Sequence, residues 1–288
     1  MSITITELKP GFAVEIGGVD MHCAVRSDDL AAIQAAIDRF PVLVFRDQPV
    51  DDAQQAEFSR NFGELSRGTE YVKPGVRRLA AEMTDASNIG ADGKVRPPND
   101  RALMNNYGSR RWHTDGSYKG VRGGYSLLSC RAAPPIGGET QFADMRQGYD
   151  ALSEDMQAKI KDLALQHDIF HSRAAVGFTG FSEQERAAQP PVQHSLVRTH
   201  PRTGRKSLYL SSHASHVLGV PPYESIDLLY ELTEIATQPA FVYTHRWKLH
   251  DAVMWDNRCT MHRGRRHSPA DAPRDMRRTT TLDELIAA

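Results

Sequence analysis

The chain opens on alternation. "ITITEL" and "FAVEI" step apolar and polar with a period of two on either side of Pro10-Gly11, which predicts an antiparallel hairpin. The period then lengthens: Leu30, Ile33, Ala36 and Ile37 share one face of a helix running from about Asp28 to Phe40, with Ser27 as its cap. "VLVFRDQ" (42–48) reads as a buried strand. Asp51 or Asp52 caps the next helix, through "AQQAEFSRNFG", and Gly63 stops it. Residues 64–108 show no period, are rich in Gly, Pro, Asn and charge, and carry one turn at "IGADGKV"; so long an excursion is usually functional.

Beyond it, "YSLLSCR" (125–131) and "TQFAD" (140–144) are strands separated by a turn at "PPIGGE". Helices are expected near 144–166 and 182–188, and a hairpin where "HSLVRTH" and "KSLYLSS" flank "PRTG". A helix over about 222–237 precedes strands at "FVYTHRW", "AVMWD" and "DMRRTTTL". Many short strands with helices between them, no repeat and no low-complexity linker predict a mainly β fold, a sandwich or jelly roll, in one domain over 1–288. Such a fold has an open mouth where side chains from several strands converge.

Composition narrows the partners. The chain is 40% hydrophobic and 25% charged with a net charge of −1, which gives no reason to expect nucleic acid or an anionic membrane. Cys23, Cys130 and Cys259 are too few and too scattered for a disulfide framework or a CxxC zinc site. No apolar run is long enough to span a bilayer, and "MSITITELKPG" lacks the basic start and apolar core of a signal peptide. A cytoplasmic protein is expected, and a homo-oligomer.

Two stretches carry candidate chemistry. In "WHTDGSY" (112–118), His113 and Asp115 would point the same way if the segment is a strand. A pair this short also arises by chance in a chain with 12 His and 36 acidic residues. "VMWDNRCTMHRGRR" adds His262 just beyond an apolar strand. Two histidines and one carboxylate leave about half of an octahedron open, as in non-haem iron(II) oxygenases, although zinc hydrolases also use this set. In a strand over 274–280, Arg274, Met276 and Arg278 share a face. An inward arginine is costly unless an anion meets it, and its planar fork suits a carboxylate. A solvated basic stripe or phosphate patch is the alternative.

Taken together, "WHTD", "GGETQFADMR", "YDAL", "LVRTHPRTGRKSLYL", "VMWDNRCTMHRGRR" and "RDMRRTT" resemble the Fe(II)/α-ketoglutarate-dependent taurine dioxygenase family, and within it the chlorophenoxyacetate (2,4-D) branch. The resemblance runs from roughly residue 40 to 283 and weakens over 64–110. It implies a double-stranded β-helix (jelly roll) with inserted and flanking helices, and three cofactors or cosubstrates: Fe(II), α-ketoglutarate and O2. His113, Asp115 and His262 match the iron ligands; Thr140 and Arg274 match the pair holding the distal carboxylate of α-ketoglutarate; Arg278 matches the arginine receiving the acidic head of the substrate. His200 matches a histidine near the pocket, with a surface hairpin histidine as the other reading. Trp112 is expected as a pocket wall and Trp255 as core. Members often carry an asparagine near the substrate, four residues before the first iron ligand; here that position is Ser109, a candidate substrate contact, followed by Arg110 and Arg111.

The implied chemistry is oxidative decarboxylation of the cosubstrate to succinate and CO2 with hydroxylation of a small organic acid. On an aryloxyalkanoate the hydroxylated product is a hemiacetal that collapses to a phenol. A sulfonate, a sulfate ester or an N-acyl amino acid is the alternative substrate, and a non-catalytic jelly-roll module binding a metal or anion the alternative class.

Overall fold

The computed structural model describes residues 3–68, 78–268 and 270–283. Helices and strands mix; among the described residues the strands form five sheets, and two of them build the centre of the fold. The larger has seven strands in spatial order Thr4–Lys9, Ala13–Gly17, Val42–Phe45, Ala252–Asp256, Gly123–Ala132, Asp275–Leu282 and Thr84–Asp85. The smaller has three, with Thr140–Asp144 between Val242–His245 and Thr260–Gly264.

The period-two pattern explains how the layers are sorted. Val42 and Val44, Leu128 and Cys130, Val253 and Trp255, and Met276 point from the large sheet into one core, where Phe142 of the small sheet meets them. The intervening residues Leu43, Phe45, Tyr125, Leu127, Ala252 and Met254 point the other way, onto the helices Ser27–Arg39 and Asp52–Arg60. Ala143 and Met261, on the far face of the small sheet, pack with Leu228 and Leu232 of the helix Pro222–Ala236. Each central strand is therefore apolar on both faces, as a strand buried on both sides must be. The first helix buries Ile33, Ala36 and Ile37 and carries Asp28 and Asp29 in its first turn and Arg39 in its last, in line with its dipole.

The N-terminal hairpin, the strand at 140–144 and the hairpin joining Val197–Thr199 to Lys206–Leu208 form where the pattern predicts them. Asp51 caps its helix in a reciprocal box with Gln54. Elsewhere the structure corrects the expectation. Ser27 is the first helical residue and not the cap: Arg26 occupies that place, with no side-chain hydrogen bond. The helix near 144–166 is two short ones, Met145–Asp150 and Glu154–Ile160, followed by the strand Ala164–His167; Ser153 caps the second helix and so divides the pattern. His262 lies within a strand of its own, Thr260–Gly264.

"WHTDGSY" is not a strand. His113 makes a single antiparallel bridge with His262, and the chain then turns at Asp115. Gly116 permits that turn: its φ is +68°, and a Cβ there would meet the amide nitrogen of Gly123 at 2.8 Å. Part of the 64–108 excursion lies outside the described residues. From Arg78 onward it lays Thr84–Asp85 along the edge of the last strand, turns through the Ile89–Val95 bridge and enters the helix Arg101–Asn106, capped by Asp100.

Candidate metal centre

The backbone bridge between His113 and His262, closed by amide-to-carbonyl bonds of 3.0 and 2.8 Å, brings two distant segments side by side. The imidazole centroids are 4.1 Å apart, and Nε2 of each ring lies 3.7 Å from Oδ1 of Asp115. All three residues are buried, and one potential ligand atom from each falls within 4.8 Å of the others. Among the described residues no other group of three His, Cys, Asp or Glu does so.

Hydrogen bonds fix the orientation. His113 Nδ1–H donates to the Arg111 carbonyl at 2.9 Å, which leaves Nε2 as the free electron pair. Asp115 accepts from the Ser126 hydroxyl at 2.8 Å, while its amide donates to Asn257 Oδ1 at 3.2 Å. Asn257 in turn donates to Ser126 Oγ and accepts from the Trp255 indole. Trp255 is wholly buried, as core packing requires, and its ring also lies 4.6 Å from that of His262.

Electrostatics suit a divalent cation. Burial pushes the His113 pKa down, only partly opposed by Asp115; burial and then the neighbouring His113 push His262 well below 6.5. Burial alone would raise Asp115, but Arg278, bonded to Oδ1, and the two histidines outweigh it and hold the carboxyl below its ordinary value. The cluster is thus two neutral imidazoles and one carboxylate near pH 7, the protonation state that metal binding demands. Buried His262 Nδ1 has no hydrogen-bond partner among the described residues. The donor set and its convergence fit iron(II).

The other candidates fall in two groups. Parity along Thr140–Asp144 sends Thr140 to the same face as Phe142, and the sheet register pairs Thr140 with Gly264 and Phe142 with His262. Buried Thr140 accepts a bond from the Trp247 indole at 3.0 Å. Arg274 stands just before its strand, donating to the Ala86 carbonyl; it lines a cavity together with Gly264, Ser109 and Arg110. Arg278 reaches Asp115 itself, and its buried Nε–H has no partner among the described residues. Ser109 donates to the Asn106 carbonyl at 2.6 Å.

His200 is placed differently. Its Nε2 lies 2.9 Å from Asp256, and its Nδ1 accepts from the amides of Arg202 and Thr203, so both nitrogens are engaged within the fold. Trp112 carries the Arg263 guanidinium 4.4 Å above its ring and packs with the core under the small sheet. Ser126, Asn257 and Trp247 escaped the sequence reading. Ser126 alone had a usable signal, since it alternates with inward-facing Leu128 and Cys130.

Known proteins match the chain over nearly its full length. The sequence model described as taurine catabolism dioxygenase TauD, TfdA family matches residues 4–280. The chain is 45% identical over 287 residues to the alpha-ketoglutarate-dependent 2,4-dichlorophenoxyacetate dioxygenase of Cupriavidus pinatubonensis, covering 99% of this chain and 100% of that one. It is 36% identical over 241 residues to the (S)-phenoxypropionate/alpha-ketoglutarate-dioxygenase of Sphingobium herbicidovorans, covering 80% and 78%. The crystal structure of AAD-2 in complex with Mn(II) and N-oxalylglycine superposes with a TM-score of 0.95 at 44% identity, covering 99% of both chains. A match this complete, over the segments that build the histidine–carboxylate cluster, places the chain in the taurine catabolism dioxygenase TauD, TfdA family.

Proposed function

We propose that the protein is an Fe(II)- and α-ketoglutarate-dependent dioxygenase of aryloxyalkanoates such as 2,4-dichlorophenoxyacetate, cleaving the ether to a phenol. One observation carries the reading: a two-histidine, one-carboxylate cluster with an arginine, Arg278, directly beside it. The 45% identity to a 2,4-dichlorophenoxyacetate dioxygenase supports the substrate class. The whole chain acts as one catalytic domain, its two sheets closing as a double-stranded β-helix.

His113, Asp115 and His262 would hold the iron, which supplies the oxidising power when bound with α-ketoglutarate and O2. Everything else the chain does is positioning. Arg274 and Thr140 take the distal carboxylate of the cosubstrate. Because the Trp247 indole already donates to Thr140 Oγ, the threonine's own proton is free to be given to that carboxylate. Arg278, with a spare buried N–H, holds the substrate carboxylate so that the carbon next to the ether oxygen faces the metal. The arginine run of the last strand is turned to these tasks and to Asp52 and Asp275, which speaks against a nucleic-acid surface. Among the described residues no helix is long and apolar enough to cross a membrane.

The test is succinate and phenol release from purified protein with Fe(II), α-ketoglutarate and air, scored over aryloxyacetates, sulfonates, sulfate esters and N-acyl amino acids. Phenol and succinate in equal amounts from an aryloxyacetate, absent in Asp115→Ala, is the expected result. Succinate coupled only to a sulfonate, sulfate ester or N-acyl amino acid would replace the substrate class, and no succinate from any would remove the enzyme reading.

A further inference from the structure

Resting on the cosubstrate assignment above, we propose that Arg110 is a second cationic contact for the distal carboxylate of the cosubstrate and a determinant of its selection: it favours a dicarboxylate 2-oxo acid over a monocarboxylate one.

The cavity that holds Arg274 is also lined by Gly264, which stands two residues beyond the ligand His262 on its strand and pairs with Thr140, so its wall adjoins the strands that carry the metal cluster and the proposed cosubstrate contact. A Cβ on Gly264 would meet nothing closer than the Ser109 carbonyl at 3.9 Å, so this stretch of wall is open. Among the described residues the lining contains Arg110, Arg265, Arg274 and His267 and not one aspartate or glutamate. Among the described residues none of these three arginines lies within ion-pair distance of a carboxylate, whereas Arg277 and Arg278 on the neighbouring strand both do. Three guanidiniums gathered without a counter-ion repel one another, and the arrangement favours an anion arriving from outside.

Of the two arginines added to Arg274, Arg110 is the one held in place. It closes the 3-10 turn Tyr107–Arg110, its guanidinium stacks 4.2 Å from the Tyr107 ring, and the Ser109 hydroxyl ties the turn to the Asn106 carbonyl. Arg265 is exposed. Arg110 and Arg274 line the same cavity; burial pushes Arg274 down to about 10, with Arg110 adding to that effect, and burial and Arg266 lower Arg110. A carboxylate between them relieves both penalties. A 2-oxo acid lacking a distal carboxylate relieves neither, although its other end can chelate the metal equally well.

The experiment is equilibrium binding, measured anaerobically on the Fe(II) protein through its metal-to-ligand absorption band. Arg110→Ala and Arg110→Gln are expected to weaken α-ketoglutarate about tenfold, as for loss of one charge-assisted contact. They should leave 2-oxobutyrate within twofold of wild type and flatten the salt dependence of α-ketoglutarate binding; Arg110→Lys should recover most of the loss. The same contrast should appear calorimetrically with N-oxalylglycine on the Mn(II) protein. Unchanged α-ketoglutarate affinity in both variants overturns the proposal, as does equal weakening of both 2-oxo acids, which would mean general damage to the site. A wild-type protein that binds no α-ketoglutarate would instead bring down the cosubstrate assignment itself, a failure distinct from that of Arg110 alone.

Discussion

Two arginines four residues apart have opposite surroundings. Arg278 lies against a carboxylate of the metal cluster, while among the described residues the Arg274 side chain meets a backbone carbonyl and the cavity but no carboxylate. Their removal should therefore separate in measurement. Arg274→Ala should weaken α-ketoglutarate by far more than the organic acid, because losing one member of a desolvated charge pair costs about 2–5 kcal/mol. Arg278→Ala should chiefly raise the KM of the aryloxyacetate and leave α-ketoglutarate binding largely intact. Titrations of the absorption band and steady-state kinetics on both variants check this, and matching profiles would mean that the two arginines serve one ligand. That Met276 and Arg278 share a face was readable from the sequence, whereas Arg274, expected in the same strand, stands before it, and the register shifts between Asp275 and Met276. That Arg278 would touch Asp115 was not readable, because the contact depends on Asp115 sitting at a turn and not in the strand that its spacing from His113 suggested. His200 shows the opposite limit: its neighbours in sequence read as a hairpin, but its partner Asp256 is 56 positions away.

At the scale of elements, what alternation and capping signals determine locally was legible: the hairpins, the paired-face strands and the helices with a strong apolar stripe. What failed were short elements whose residues suit two states, such as Ala164–His167, appended to a helical pattern and made a strand by pairing with Val192–Ser195. The join between helix and sheet was equally hidden. Gln55, fully buried on the helix Asp52–Arg60, donates to the carbonyls of Leu127 and Arg277 and accepts from the Ser129 hydroxyl. One amide thus pins the helix across two adjacent strands, one of which carries Arg278. In the sequence it is simply a polar residue in a polar helix. Gln55→Leu keeps much of the volume and strands the Ser129 hydroxyl without that acceptor, so it should cost about 2–4 kcal/mol of stability. Urea unfolding measures the loss; a change under 1 kcal/mol would show that the join is held by apolar packing alone.

Over the whole molecule, the layered cores also enclose buried polar clusters, and one of them is rich in imidazole. His167, His194 and Tyr209 cluster with ring centroids 5.3–5.7 Å apart, in a buried region that also borders His213. Burial pushes His167 down to about 3, with a further push from His194; burial, Arg122 and Arg198 take His194 to about 4. The consequence for stability has a definite sign. Above pH 6.5 both states keep these rings neutral and nothing is lost. Below it the unfolded chain takes up protons that the folded protein refuses, so stability falls as the pH drops from 6.5 toward the folded values. For His167 the slope is up to about 1.4 kcal/mol per pH unit, and His194 acts in the same direction over 6.5 to 4 with less weight because it is less enclosed. His167→Phe removes one of these groups and keeps an aromatic ring in its place. Between pH 7 and pH 5 the variant should therefore lose about 2 kcal/mol less unfolding free energy than the wild type. The triad histidines and Asp115 titrate alike in the two proteins and drop out of the difference. Chemical denaturation at the two pH values decides it: parallel losses would mean that His167 can be protonated within the fold, by opening the cluster to water at little cost.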